Sequence, residues 1–141
     1  MSGRSVIVDT NVFVSARNRN ERGSQAAREI LNRIDQGELR AMISTITIAE
    51  LRAGISEHEV RTVWRAMLSH FQTSPNYEVE GVDSDIAEAA GELRSSSKLT
   101  LPDAVVVATG HLRGASLLVT QDKEIGRRQS ILAVGPPEEL L

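Results

Sequence analysis

Short runs of β-branched and aliphatic residues alternate along the chain with segments whose apolar positions recur every three or four residues. Ser5-Val6-Ile7-Val8 is such a run, stopped by Asp9, and has the pattern of a strand buried on both faces. Asp9-Thr10-Asn11 then opens a short apolar segment from Val12 to Ala16, followed by a polar loop from Arg17 to Gly23. Ser24 is placed to cap a helix through Asp35, with Ala27, Ile30, Leu31 and Ile34 on one face and Gly37 as its stop. Leu39 to Ile43 predicts a second strand, and Ser44 or Thr45 begins a helical stretch from Ile46 to Gly54. The stretch from Glu57 to His70 is amphipathic, with Val60, Val63, Trp64, Met67 and Phe71 aligned. Tyr77 to Val82 reads as a strand, and Ser84 or Asp85 opens a helix through Leu93. Pro102 suits the first turn of a helix to about Leu112. Its run from Ala104 to Ala108 is apolar all round, so this helix belongs in the middle of the fold. Leu117-Leu118-Val119 is a strand leading into Thr120-Gln121-Asp122, with a short helix and a last strand, Ile131 to Val134, beyond it.

Strands alternating with helices predict an α/β fold, an α/β/α sandwich around a central, mostly parallel sheet. Ligands of such sheets bind beyond the carboxyl ends of the strands, where both Asp9 and Asp122 fall. No repeat, low-complexity tract or Pro/Gly/Ser linker divides the chain. Its 141 residues read as one domain, 1–141, with a core from about 5 to 135 and a short, peripheral acidic tail from Pro136 to Leu141.

Composition narrows the chemistry. Only Phe13, Trp64, Phe71 and Tyr77 are aromatic, which predicts an aliphatic core and argues against base-stacking platforms. The absence of cysteine excludes disulfides, thiolate zinc sites and cysteine nucleophiles, and suits a reducing cytoplasm. The apolar stretch near the start is too short for a signal peptide, and the longest apolar run, Ala104 to Ala108, is far below a membrane span. The net charge of −3 lacks the basic excess of a general nucleic-acid binder, unless acids are concentrated where a metal neutralises them.

Four acids merit that suspicion. Asp9, at the end of a buried strand, serves equally well as an N-cap or in an Asx turn, and Thr10 and Asn11 beside it offer further side-chain oxygens. Glu50 stands among apolar neighbours in Ile48-Ala49-Glu50-Leu51, where the alternative is a solvated residue or a pair with Arg52 or Arg94. Asp103 follows Pro102 in the first turn of the central helix. It compensates the macrodipole there, or it faces a buried polar site that needs a cation. Asp122 is a turn residue or a site residue, with Thr120 placed to orient it. Clustered carboxylates repel unless protons or metals neutralise them. A donor set of oxygens without His or Cys favours Mg²⁺ or Mn²⁺ over zinc. His58, His70 and His111 show no ligand spacing and read as surface or helix-end residues.

The four motifs Val6-Ile7-Val8-Asp9-Thr10-Asn11, Ile48-Ala49-Glu50-Leu51, Leu101-Pro102-Asp103-Ala104 and Leu118-Val119-Thr120-Gln121-Asp122 follow one another in a telling order and spacing. By them the chain resembles the PIN-domain nucleases, in particular VapC-type toxins of toxin–antitoxin pairs, from about Val6 to Val134. The resemblance implies a PIN fold, Mg²⁺- or Mn²⁺-dependent endoribonuclease activity, a homodimer, and inhibition by a small cognate antitoxin. It implies Asp9 and Asp103 as principal metal ligands, and Glu50 completing the acidic cluster. Asp122 then binds a second ion or positions water, with Asn11 and Thr120 in support. Lys123-Glu124-Ile125 departs from the pattern, since relatives often have a further Asp and an aromatic there. Arg17, Arg19 and Arg22 are candidate RNA-phosphate contacts or simply a solvated loop. The rival reading is a catalytically silent PIN-like module that binds a protein or RNA, for which loss of an acid would be the sign. A phosphatase using Asp9 fits poorly, because the position two residues on is Asn11. The acids alone do not tell RNA from DNA.

Overall fold

The computed structural model describes residues 5–141; residues 1–4, which the sequence reading places ahead of the core, lie outside the described residues. Five strands form one parallel sheet: β1 (Ser5–Val8), β2 (Arg40–Ser44), β3 (Tyr77–Glu80), β4 (Leu117–Val119) and β5 (Val134–Gly135). Their order is β3-β2-β1-β4-β5. The chain winds outward from β1 through β2 to β3, then crosses to the other side of β1 for β4 and β5. The carboxyl ends of β1 and β4 therefore flank the switch point, where a crevice opens in folds of this kind.

Alternation along the strands divides the core in two. Val6, Val8, Ala41, Ile43 and Val119 face one layer, with α1 (Thr10–Arg17), α2 (Ser24–Asp35), α3 (Thr45–Ala53) and α4 (Arg65–Thr73). Ile7, Met42 and Leu118 face the other, with α5 (Ser84–Ser96), α6 (Leu101–Arg113) and α7 (Lys123–Arg128). This is the expected α/β/α sandwich, with the apolar α6 buried from Ala104 through Gly110. Gly110 sits where α6 crosses β1, and a Cβ there would lie 2.7 Å from Leu132 Cδ2 and 2.8 Å from Ile7 Cγ2. Both neighbours are held in a packed core, so Gly110→Ala is expected to destabilise by about 1–3 kcal/mol in a urea titration. An unchanged midpoint would mean that the α6–β1 contact yields easily.

Several local expectations are corrected. Ser24 is not the cap of α2: Gly23, at φ +87°, precedes the helix, and the Ser24 hydroxyl accepts a hydrogen bond from Arg28 at 2.6 Å. α5 opens at Ser84, as expected, capped by Asp83, whose carboxylate accepts from the Ile86 N–H at 2.9 Å, but it continues past Leu93 to Ser96. The stretch after Glu57 keeps its apolar stripe but winds as a 3₁₀ turn (Glu57–Glu59), a π turn (Val60–Trp64) and then α4. The β-branched Val60, Thr62 and Val63 there favour regular α winding poorly.

The last strand starts late. The Gln129 side chain accepts from the Leu132 N–H and donates to the Leu132 carbonyl, both at 3.0 Å, so the Leu132 donor is taken and its carbonyl already engaged before the ladder begins. Ile131, expected to open that strand, is 46% exposed. The aliphatic-core expectation holds on one face only. Phe13, Trp64, Phe71 and Tyr77 all gather on the α1/α2/α4 side, and the other cluster has no aromatic. The acidic tail is folded down: Pro137–Leu140 makes a 3₁₀ turn beside α2, Pro137 is buried, and Arg33 donates to the Leu140 carbonyl at 3.2 Å. Among the described residues no helix is long and apolar enough to cross a membrane.

Candidate active site

Asp9 is where β1 gives way to α1. Its N–H still belongs to the sheet, donating to the Val119 carbonyl at 3.0 Å, while its carboxylate caps α1 by accepting from the Thr10 N–H at 2.8 Å. Cap and candidate ligand are thus the same side chain. The other carboxylate oxygen accepts from the Thr120 hydroxyl at 2.7 Å and from the Asn11 amide at 3.2 Å. Asn11 also donates to Thr120 Oγ1 at 2.9 Å, and its own carbonyl oxygen accepts from the Gln121 N–H at 3.1 Å. Asn11 and Thr120 therefore join the ends of β1 and β4 while hydrogen-bonding the Asp9 carboxylate, the support that the resemblance implied.

The other three acids arrive from different elements and line one basin of about 320 Å³ with Asp9, Thr10, Asn11 and Val14. Ser44 caps α3 through its hydroxyl, which accepts from the Ile46 N–H at 3.2 Å and so sets the helix that presents Glu50. Glu50 pairs with neither Arg52 nor Arg94. It accepts from the Thr10 hydroxyl at 2.7 Å, and Arg52 goes to Glu57. Thr10 thus serves two acids, one by its backbone and one by its side chain. Thr100 caps α6 and takes the Asp103 N–H at 3.3 Å, placing Asp103 in the first turn. Asp122 caps α7, accepting from the Glu124 N–H at 2.9 Å, and its own N–H donates to Thr120 Oγ1 at 3.1 Å.

The basin is electrostatically unbalanced. Among the described residues none of the four carboxylates is in a salt bridge. Asp9 is 5% exposed, and burial pushes its carboxyl up to about 6. The Thr120 and Thr10 hydrogen bonds oppose that rise, and the charges of Asp103 and Glu50 add to it. Burial likewise raises Asp103. The Thr100 hydroxyl works against that shift, Asp122 and Glu50 reinforce it, and the Arg128 charge relieves a little.

A divalent cation would relieve this repulsion, and four carboxylates with no sulfur or imidazole suit a hard ion. Among the described residues no three acids already converge as a closed metal cage. The hydrogen bonds say why: Glu50 is turned to Thr10, Asp122 to its own helix, and Asp9 to three donors. The residues fit such an ion by the chemistry of their donors and by their shared place around one basin.

Around the basin the candidate arginines divide. Arg17 pairs with Glu59 at 3.5 Å and borders a hollow shared with Val14 and Glu50, whereas Arg22 lies with Gln121 and Lys123 around another. Arg19 is exposed. The three histidines stay outside: His58 and His111 are exposed, and His70 bonds Asp35 at 2.8 Å. Sequence reasoning passes over Ser15 and Gln121, whose side chains meet at 3.1 Å. A polar residue inside Val12–Ala16 was the visible sign, but only the sheet order brings it to Gln121.

The family model described as the PIN domain matches residues 6–130. Ribonuclease VapC4 of Mycobacterium tuberculosis is 30% identical over 129 residues, covering 88% of this chain and 91% of that protein. A toxin–antitoxin complex from Klebsiella pneumoniae superposes with a TM-score of 0.69 at 26% identity, over 94% of this chain and 97% of its own. VapBC2 from Rickettsia felis, solved with a DNA fragment from its promoter, gives a TM-score of 0.71 at 19% identity, over 94% and 98%. The sheet order, the switch-point acids and these matches lead to one conclusion: the chain belongs to the PIN-domain family.

Proposed function

We propose that this protein is a metal-dependent endoribonuclease that acts as the toxin of a toxin–antitoxin pair, with its 141 residues forming a single cytoplasmic domain. The observation that supports it most is the basin of Asp9, Glu50, Asp103 and Asp122, acids from four parts of the fold lining one crevice with no salt bridge to any of them among the described residues. The relative named as a ribonuclease supports RNA as substrate. The Klebsiella complex supports a small antitoxin as partner, and a homodimer is the assembly we expect.

Asp9 and Asp103 would hold the principal Mg²⁺ or Mn²⁺, Glu50 would complete that site, and Asp122 would hold a second ion or orient the attacking water. The bound cation would polarise the phosphodiester and make hydroxide available near neutral pH. Asn11 and Thr120 fix the Asp9 carboxylate, and Thr10 restrains Glu50, so the protein supplies preset oxygen donors. The test is cleavage of a mixed RNA pool by purified, antitoxin-free protein. Internal cuts are expected with Mn²⁺ or Mg²⁺ and none with EDTA. Folded protein that cuts equally well in EDTA would overturn the metal assignment, and one that cuts nothing would favour a binding module.

A further inference from the structure

The loop that presents Asp122 is fastened to α1 by more than Thr120. Gln121 donates from its backbone N–H to Asn11 Oδ1 at 3.1 Å and from its side-chain amide to Ser15 Oγ at 3.1 Å. Ser15 is fully buried in the middle of α1, so this anchor is rigid. The amide is also hemmed in by the backbone before α2. Gly23 approaches it at φ +87°, and a Cβ there would be 2.9 Å from Gln121 Nε2. One side chain thus ties the β4–α7 turn to α1, packed against the turn before α2 and directly beside a candidate site acid.

We infer that Gln121 is a positioning residue for the metal-dependent reaction, holding the Thr120–Asp122 turn so that Asp122 faces the basin. The inference rests on the functional reading above and adds a residue to it. Thr120 tethers the start of the turn, through its hydroxyl to Asp9 and Asn11 and through its N–H to the Gly135 carbonyl at 3.0 Å. Gln121 adds two more one residue nearer to Asp122, one of them to a buried partner, and these hold the middle of the turn, which the Thr120 bonds do not reach. Outer hydrogen bonds that orient ligating carboxylates affect metal affinity and turnover together.

The experiment compares wild type with Gln121→Ala, Ser15→Ala and the double variant, each as the full chain. Without any metal, amide hydrogen exchange at residue 121 and at Asp122 is expected to quicken about tenfold in Gln121→Ala, with Ile7 in β1 little changed. Mn²⁺ binding without RNA, followed by the metal's paramagnetic resonance, is expected to weaken about tenfold, and kcat to fall similarly with KM held within about twofold. Ser15→Ala should reproduce part of each change, and the double variant should be no worse than Gln121→Ala. Unchanged exchange at those two amides overturns the inference. So does an effect confined to KM, which would make Gln121 an RNA contact, or strict additivity with Ser15→Ala. If the wild type cuts no RNA, the functional reading fails, and the exchange and Mn²⁺ arms still decide the role of Gln121.

Discussion

Asp9→Asn is expected to abolish RNA cleavage while making the folded protein harder to unfold at pH 8. The activity loss follows from removing a charged oxygen donor from the centre of the basin. Several kcal/mol of charge stabilisation in the transition state amounts to a loss of at least about a thousandfold. The stability gain has a separate origin. Burial holds the Asp9 carboxyl at about 6 in the folded protein, against 3.8 for the free group. The native state therefore keeps this proton through a range where the unfolded chain has released it. Its contribution to stability is complete below pH 3.8 and is lost as pH rises through about 6. At pH 8 the ionised, buried Asp9 costs about 3 kcal/mol, an order-of-magnitude figure from the shift alone.

Asparagine escapes that cost and still caps α1. It also sets its own amide against the Thr120 hydroxyl and the Asn11 amide, which now donate to the carboxylate. Losing those bonds, at about 1 kcal/mol each, offsets part of the gain and leaves a net of about 1–2 kcal/mol. Urea titrations in EDTA at pH 4.5 and pH 8 decide the matter. The variant should be the more stable at pH 8, and its advantage should vanish or reverse at pH 4.5. Added Mn²⁺ should stabilise the wild type far more than the variant. Equal stabilities at both pH values would mean that Asp9 is not buried as an uncompensated charge.

The site was more legible in the sequence than the details of the frame. Asp9 and Asp122 could be placed together because a strand-end acid in a parallel sheet has only one edge to occupy, and Pro102 announced the helix start that presents Asp103. Glu50 was readable only through the motif, since nothing in Ile48-Ala49-Glu50-Leu51 says that Thr10 will reach across to it. The late start of the last strand has a plain physical cause. A side chain competing for backbone groups, Gln129 over Leu132, decides where that element begins, and hydrophobic periodicity does not record it. The aromatic cluster was missed for another reason. Four rings looked too few to shape a core until β3, α1, α4 and the π turn before α4 brought them to the same face.

That cluster sets the second large effect. Phe71 is 3% exposed, meets Phe13 edge-on with ring centroids 5.2 Å apart and lies 5.4 Å from Tyr77. Phe71→Ala is expected to cost about 3–5 kcal/mol, combining lost transfer energy with an unfilled cavity. The edge-on aromatic pair accounts for about 1 kcal/mol of it. Against the 5–15 kcal/mol typical of a domain, roughly a fifth or more of the stability would go. Phe71 also forms part of the wall of an apolar hollow with Leu31, Met67 and Tyr77, so water can enter the space it leaves and the lower half of the range is favoured. The same substitution separates frame from site. Phe13 lies on α1 two residues beyond Asn11, yet the N-terminus of that helix is fastened to β4 through Asn11, Thr120 and Gln121. With those bonds intact, kcat per folded molecule at low temperature should stay within about twofold of wild type, while the urea midpoint falls and its slope is unchanged. A fall in kcat matching the loss of stability would show that aromatic packing, and not the hydrogen-bonded turn, holds the acids in register.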